Sequence, residues 1–262
     1  GFFKIDLLSL GMLSAMRKCF DYVEHYYGRR IRLDTIPDDD KPTYAMIQKA
    51  DTVGTFQIES RAQMSMLPRL KPACFYDLVI EVAIIRPGPI QGKVIHPYLA
   101  RREGLEAVTY PDERLRPILE RTLGIAIFQE QAMRIAIAVG NFSGGEANEL
   151  RKNIGAWGVK DFDRDLFPLL QKLEKGMQEN GIKPEFAEQI LGQMRGFAEY
   201  GFPESHAVSF SLIAYASCYL KCHYPAAFYI SVLNSQPMGF YSEHALLQAA
   251  RREGIKLLPI SL

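Results

Sequence analysis

Hydrophobic and polar positions follow two rhythms along this chain. At the start, Phe3, Ile5 and Leu7 fall on one side of an extended segment and Lys4 and Asp6 on the other, the two-residue period of a strand. The rhythm then lengthens. Met12, Met16, Phe20, Val23 and Tyr27 recur at three- and four-residue steps, which predicts an amphipathic helix. Gly28 and the basic pair Arg29-Arg30 mark its end. Residues 34–42 are turn-rich and acidic, and form the best candidate boundary in the chain. A short helix is predicted over Thr43–Ala50.

Two proline-bounded stretches follow, at 68–72 and 86–89. Arg86-Pro87-Gly88-Pro89 cannot be helical, because proline removes donors and restricts the residue before it. A rigid loop with Arg86 at its base is expected. From Gln129 onward the pattern is helical nearly throughout. Ser143 and Glu146 have the spacing of a capping box, which places a helix over Gly144–Ile154. Further helices are predicted over Phe162–Asn180, Pro184–Phe197, Ser205–Cys222, Pro225–Asn234 and Glu243–Glu253. Gly254 ends the last, and Ile255–Leu262 reads as strand-like. There is no internal repeat or low-complexity tract. The expected fold class is mainly α, with a short strand at the N-terminus and a small strand-like C-terminal end.

Composition changes this picture little. With 262 residues, 48% hydrophobic and 23% charged, the chain can bury a sizeable core as one large domain or two smaller ones. No apolar run approaches the roughly 18 residues of a membrane span, and no secretory signal appears. The chain lacks an initiator Met and opens directly in an apolar strand, so a piece of a longer protein is expected. The formal net charge is +1, which announces no nucleic-acid partner. Cys19, Cys74, Cys218 and Cys222 show no disulfide framework, which suits a reducing cytoplasm. Cys218, Cys222 and His223 sit at helical spacing beside apolar neighbours, and no second ligand pair gives them a zinc-finger pattern.

Candidate chemistry is sparse. Lys4 and Asp6 on one strand face suit a site holding a metal and a phosphate together, and also fit a solvated strand edge. Phosphate loops of the G-x-x-x-x-G-K-[ST] and strand-linked G-x-G-x-x-G kinds are missing. Ser143-Gly144-Gly145 opens a helix whose free N–H groups either hold a phosphate or simply start the helix. Arg151 and Lys152 come late in that helix, about 100° apart around its axis. They either grip a triphosphate from two directions or stand as solvated charge. Glu199 to His206 places aromatics around Gly201 and Pro203 just before a helix. That turn offers either a stacking surface for a base or a hydrophobic packing contact. His206 has no Ser or Cys nucleophile at a recognisable motif, so a hydrolytic triad is not supported.

Taken in order, several strings resemble one family. They are Lys4-Ile5-Asp6-Leu7-Leu8, Asp51-Thr52-Val53-Gly54-Thr55-Phe56-Gln57-Ile58-Glu59-Ser60-Arg61, Arg86-Pro87-Gly88-Pro89, Phe128-Gln129-Glu130-Gln131, Glu149-Leu150-Arg151-Lys152, and Tyr200-Gly201-Phe202 through Ser205-His206. Together they look like bacterial C-family DNA polymerases, the alpha subunits of DNA polymerase III and their relatives. Ala62 to Pro68 and Asn234 to Tyr241 look like the damage-inducible, error-prone branch.

The resemblance implies roles. Asp6 lies where the family carries the third of three metal-binding palm aspartates, the other two belonging to an earlier segment. Lys4 falls where a palm lysine approaches the incoming nucleotide's phosphates. Arg151 and Lys152 align with a paired basic site on the fingers, usually Arg-Arg; Lys in second place keeps the charge and loses the bidentate fork. Tyr200 and His206 fall beside the nucleotide pocket. The implied chemistry is two-metal-ion nucleotidyl transfer with Mg²⁺, on primer-template DNA and deoxynucleoside triphosphates. Other translesion or replisome proteins are the implied partners of the full-length parent, and no membrane is implied. By this resemblance residues 1–40 are the end of a palm, 41–240 a helical fingers domain, and 241–262 the start of a further segment. The fragment alone is then expected to be inactive. The rival readings are a replicative alpha subunit and a helical DNA- or protein-binding module without catalysis. A binding module has no use for Asp6.

Overall fold

The computed structural model describes residues 10–85, 92–154, 166–200 and 202–258. Within them lie thirteen α-helices and no sheet. In chain order they are α1 (Leu10–Tyr27), α2 (Lys41–Gln48), α3 (Arg61–Leu70), α4 (Phe75–Ile84), α5 (Gly92–Arg102), α6 (Arg116–Leu119) and α7 (Gln129–Gly140). They continue with α8 (Gly144–Ile154), α9 (Phe167–Glu179), α10 (Pro184–Tyr200), α11 (Glu204–His223), α12 (Pro225–Leu233) and α13 (Glu243–Arg252). The mainly-α expectation is met. The expected N-terminal strand and the Arg86–Pro89 loop lie outside the described residues. The strand-like C-terminal end is corrected over its described part: residues 255–258 are irregular.

The chain divides into two compact units, residues 1–82 with 208–262, and residues 83–207. In the first, α1 buries Met12, Ala15, Met16, Cys19 and Val23 and packs on α12, which in turn packs on α13. Gly28 ends α1 at φ +64°, a backbone that glycine adopts without strain. The second predicted helix begins two residues early. Asp40 is its N-cap, accepting from the Thr43 N–H at 2.9 Å, and Pro42 sits where its missing N–H costs nothing.

Helices α3 to α5 were not predicted. Pro68 and Pro97 lie inside α3 and α5, where proline ordinarily signals a break. The start of α3 is nonetheless a capping box: Ser60 N–H donates to Gln63 Oε1 at 3.1 Å, and Gln63 N–H to Ser60 Oγ at 3.4 Å.

The second unit is built around α7, which packs on α6, α8 and α9, while α10 covers α8 and α9. Leu115, Ala132, Ile135, Ala136, Val139, Leu150, Leu173 and Met194 form its core. The crossing of α7 and α9 depends on two glycines. A Cβ on Gly176 would lie 2.1 Å from the carbonyl oxygen of Gly140, so backbone meets backbone with no room for a side chain.

Candidate functional site

Of the candidate site residues, Lys4 and Asp6 lie outside the described residues, as does the side chain of Tyr200. Arg151, Lys152 and His206 are described, all within the second unit.

Helix α8 turns Ala147 and Leu150 into the core. A step of about 100° per residue then carries Arg151 to the edge of that face and Lys152 into solvent. Arg151 donates through Nε and a terminal nitrogen to Asn148 Oδ1, at 3.2 and 3.1 Å, within its own helix. Asn148 is a neutral acceptor, so the guanidinium is steadied while its charge stays uncompensated. Among the described residues neither Arg151 nor Lys152 forms an ion pair. The last turn of α8 is therefore a cationic edge. Cations there also complement the partial negative charge of the helix end.

The other end of α8 is occupied differently from one of the readings above. Glu146 accepts from Ser143 N–H and Ser143 O–H at 2.9 Å each and pairs with Lys172 of α9. Lys172, followed by the Ser143 donors, pulls the Glu146 carboxyl down to about 2. The predicted capping box is what α8 starts with, and its carboxylate already engages the Ser143 donors.

His206 sits in the first turn of α11, half-buried, with its ring 5.1 Å from that of Phe202 in an edge-to-face arrangement. Phe202 is fixed by its backbone. It forms an isolated parallel bridge with Phe128, and its carbonyl accepts from Gln129 N–H at 2.9 Å. Glu130 Oε2 accepts from Glu204 N–H, also at 2.9 Å. The start of α11 and the start of α7 are thereby joined.

Buried Gln131 holds this junction from below. Its carbonyl oxygen accepts from Ile127 N–H and Phe128 N–H at 2.8 and 3.0 Å, and its amide nitrogen donates to Ile118 O and Thr122 Oγ1 at 3.0 and 2.8 Å. Sequence reasoning singled out Phe128-Gln129-Glu130-Gln131 as a string without finding these roles. The signal available was Gln at the third helical position, a capping residue. Helices α7 and α8 are joined by residues 141–143 and pack together as a helical hairpin.

Cys19, Cys74, Cys218 and Cys222 are free thiols, and burial pushes Cys19 and Cys218 up to about 12, far from reactivity. Among the described residues no three His, Cys, Asp or Glu side chains gather into a metal site, and no helix is long and apolar enough to cross a membrane.

Residues 12–181 match the family model described as the bacterial DNA polymerase III alpha subunit finger domain. Over its whole length the chain is 57% identical to an error-prone DNA polymerase of Rhodopirellula baltica and 56% identical to one of Pseudomonas fluorescens. Over 98% of its length it is 56% identical to one of Vibrio parahaemolyticus. It spans 23%, 25% and 25% of those relatives, about a quarter of each. The chain belongs to the bacterial DNA polymerase III alpha subunit finger-domain family.

Proposed function

We propose that this chain is the fingers-bearing part of an error-prone DNA polymerase, which adds deoxynucleotides to a primer 3′ end in translesion synthesis and repair. The observation that carries this reading is the 56–57% identity, spread over the whole chain, to polymerases of that name. In it, Arg151 and Lys152 hold the triphosphate of the incoming nucleotide. Their uncompensated charge at the end of α8 supports this, since a polyphosphate needs cations not already spent on carboxylates. His206 and Tyr200 flank the nucleotide, and Lys4 approaches its phosphates.

Residues 1–40 would complete a palm and 41–240 would be the fingers. The ion that supplies the chemistry, Mg²⁺, would rest on Asp6 and on carboxylates from elsewhere in the polymerase. The described residues offer no cluster that fits it. In this reading their part is to bind and orient the nucleotide. Primer-template DNA and deoxynucleoside triphosphates are the substrates, and other translesion or replisome proteins the partners. The cytoplasm is the proposed location.

The test is Asp6→Asn in the polymerase that contains this chain. The exchange removes a carboxylate charge at nearly constant volume. Extension should be lost while primer-template binding stays within a few fold. Extension close to wild type would show Asp6 to be a solvated strand residue and would remove the catalytic reading.

A further inference from the structure

Among the described residues, five other than glycine adopt a left-handed backbone: Ala50, Gln57, Lys71, Leu123 and Asn141, with φ of 56°, 61°, 48°, 54° and 57°. Four of them end helices. Ala50 follows α2, with its N–H on Ile47 O and the next N–H on Met46 O. Lys71 and Asn141 cap α3 and α7, and Leu123 closes a short 3-10 turn at Glu120–Thr122. Helix ends use this conformation routinely. Gln57 ends nothing. It lies inside the irregular loop 51–60, between buried Phe56 and Ile58.

Many contacts hold that loop. Thr52 Oγ1 donates to Ile58 O at 2.6 Å, and Thr55 Oγ1 to Thr52 O at 2.7 Å. Ser217 Oγ accepts from Phe56 N–H at 3.1 Å. Lys221, its side chain fully buried, donates to Asp51 O, Asp51 Oδ1 and Val53 O at 2.9, 2.8 and 3.2 Å. Glu59 turns inward and accepts from Gly54 N–H and Phe240 N–H at 2.8 and 3.1 Å. A strained backbone persists only where its surroundings over-determine it, and such residues concentrate at binding and catalytic sites.

What the loop presents outward is an amide and a cation. Gln57 is half-buried, its amide reaches solvent, and it has no hydrogen-bond partner among the described residues. Arg61, four residues on, is exposed and has no carboxylate partner among them. The one acid between the two, Glu59, is spent on backbone N–H groups. An amide donor on an anchored backbone and, four residues on, a guanidinium without a carboxylate partner suit a polyanion rich in acceptors.

We infer that Gln57 and Arg61 form a contact site for primer-template DNA, an inference that rests on the polymerase reading above. The amide donates to acceptors that every sequence presents, either phosphate oxygens or the minor-groove N3 and O2 atoms. Arg61 supplies charge to the backbone. The over-determined backbone at Gln57 fixes the point from which the amide reaches out.

The test uses the polymerase that contains this chain. Gln57→Gly relieves the left-handed strain, so the thermal midpoint should hold or rise. Primer-template binding should weaken about tenfold, with the KM for the nucleotide unchanged. Gln57→Glu keeps size and replaces the donor with a negative charge, and should weaken binding further. A 3-deazaguanine primer-template removes a groove acceptor, and a methylphosphonate linkage removes a phosphate charge. Whichever one weakens wild type but not Gln57→Gly identifies the atom contacted. If Gln57→Gly binds DNA within twofold of wild type, or loses thermal stability with DNA affinity intact, Gln57 is structural and the inference falls. If wild-type polymerase neither binds nor extends any primer-template, the proposed function fails first and takes this inference with it.

Discussion

Glu130 at the start of α7 accepts a hydrogen bond from the backbone N–H of Glu204 at the start of α11, across 74 positions of sequence. A carboxylate at a helix N-terminus satisfies a donor the helix cannot use itself and faces the positive end of its dipole. Here it fastens the turn that carries Phe202 and His206 onto the element whose N-terminus Gln131 orients. The site's shape therefore depends on a residue that would touch no nucleotide.

Glu130→Ala removes that cap. A lost N-cap of this kind costs about 1 kcal/mol, and the loss should fall on the first turn of α11. In the full polymerase the KM for the incoming nucleotide should rise several-fold while DNA affinity holds. Hydrogen exchange at residues 204–207 should quicken. Glu130→Gln, which keeps an acceptor at the same reach, should recover most of both effects. Unchanged exchange in the alanine variant would show that Phe202 and Gln129 hold the turn unaided.

The α7–α9 crossing allows a sharper stability prediction. Gly176→Ala would push a methyl to 2.1 Å from the Gly140 carbonyl oxygen, a clash between two backbones that no rotamer relieves. Separation of α7 and α9 would follow, with a loss of about 3 kcal/mol or more, at the upper end of overpacking costs. Gly192→Ala, in α10 with nothing within 4 Å of the added Cβ, should instead stabilise by about 0.5–1 kcal/mol. Thermal denaturation of the two variants beside wild type checks both signs at once.

Where one face of a helix is apolar and the other polar, the sequence was readable. The face of α1 through Met12, Met16 and Val23 is buried as its spacing requires, and Ser143 with Glu146 starts α8. Helix α4 was invisible for the opposite reason: Leu78, Val79, Ile80, Val82, Ala83 and even Glu81 are all buried, so no polar face remains to set a period. Helices α3 and α5 were hidden by their internal prolines. In the site, Arg151 and Lys152 could be placed on the outer side of α8 by counting from Leu150. Glu130 and Gln131 could not be given roles, because their partners at 204 and at 118–128 are chosen by tertiary packing. Gln57 was part of a recognised string, but its left-handed backbone follows from contacts with residues as distant as Ser217 and Phe240.

Acid should act on Glu146. Lys172 and Ser143 stabilise its charged form, so its folded value of about 2 lies below the ordinary 4.5. A depressed carboxyl contributes stability that is complete above the unfolded value and is lost as pH falls through the folded one. Between about pH 4.5 and 2 wild type should lose this contribution, and Glu146→Gln should show a shallower acid limb over the same window. Because the pair is solvent-exposed, salt should shrink the difference. Parallel acid limbs would show that the pairing with Lys172 is not kept in solution.

Arg151→Ala and Lys152→Ala address the cationic turn of α8. In the proposed role each would remove a charge-assisted contact worth about 1.5–3 kcal/mol, so kcat/KM for the incoming nucleotide should fall about ten- to hundredfold or somewhat more. Arg151→Lys should fall between wild type and alanine, since charge returns without the planar fork. Lys152→Arg should cost little and could improve binding by supplying that fork. Removing Asn148, the acceptor that steadies Arg151, should give a smaller loss in the same parameter. Single-turnover kinetics over a range of nucleotide concentrations separate these effects from changes in DNA affinity. If primer-template binding weakened while nucleotide kinetics held, the two cations would be contacts to the DNA backbone, and the nucleotide site would have to be sought elsewhere on the fingers.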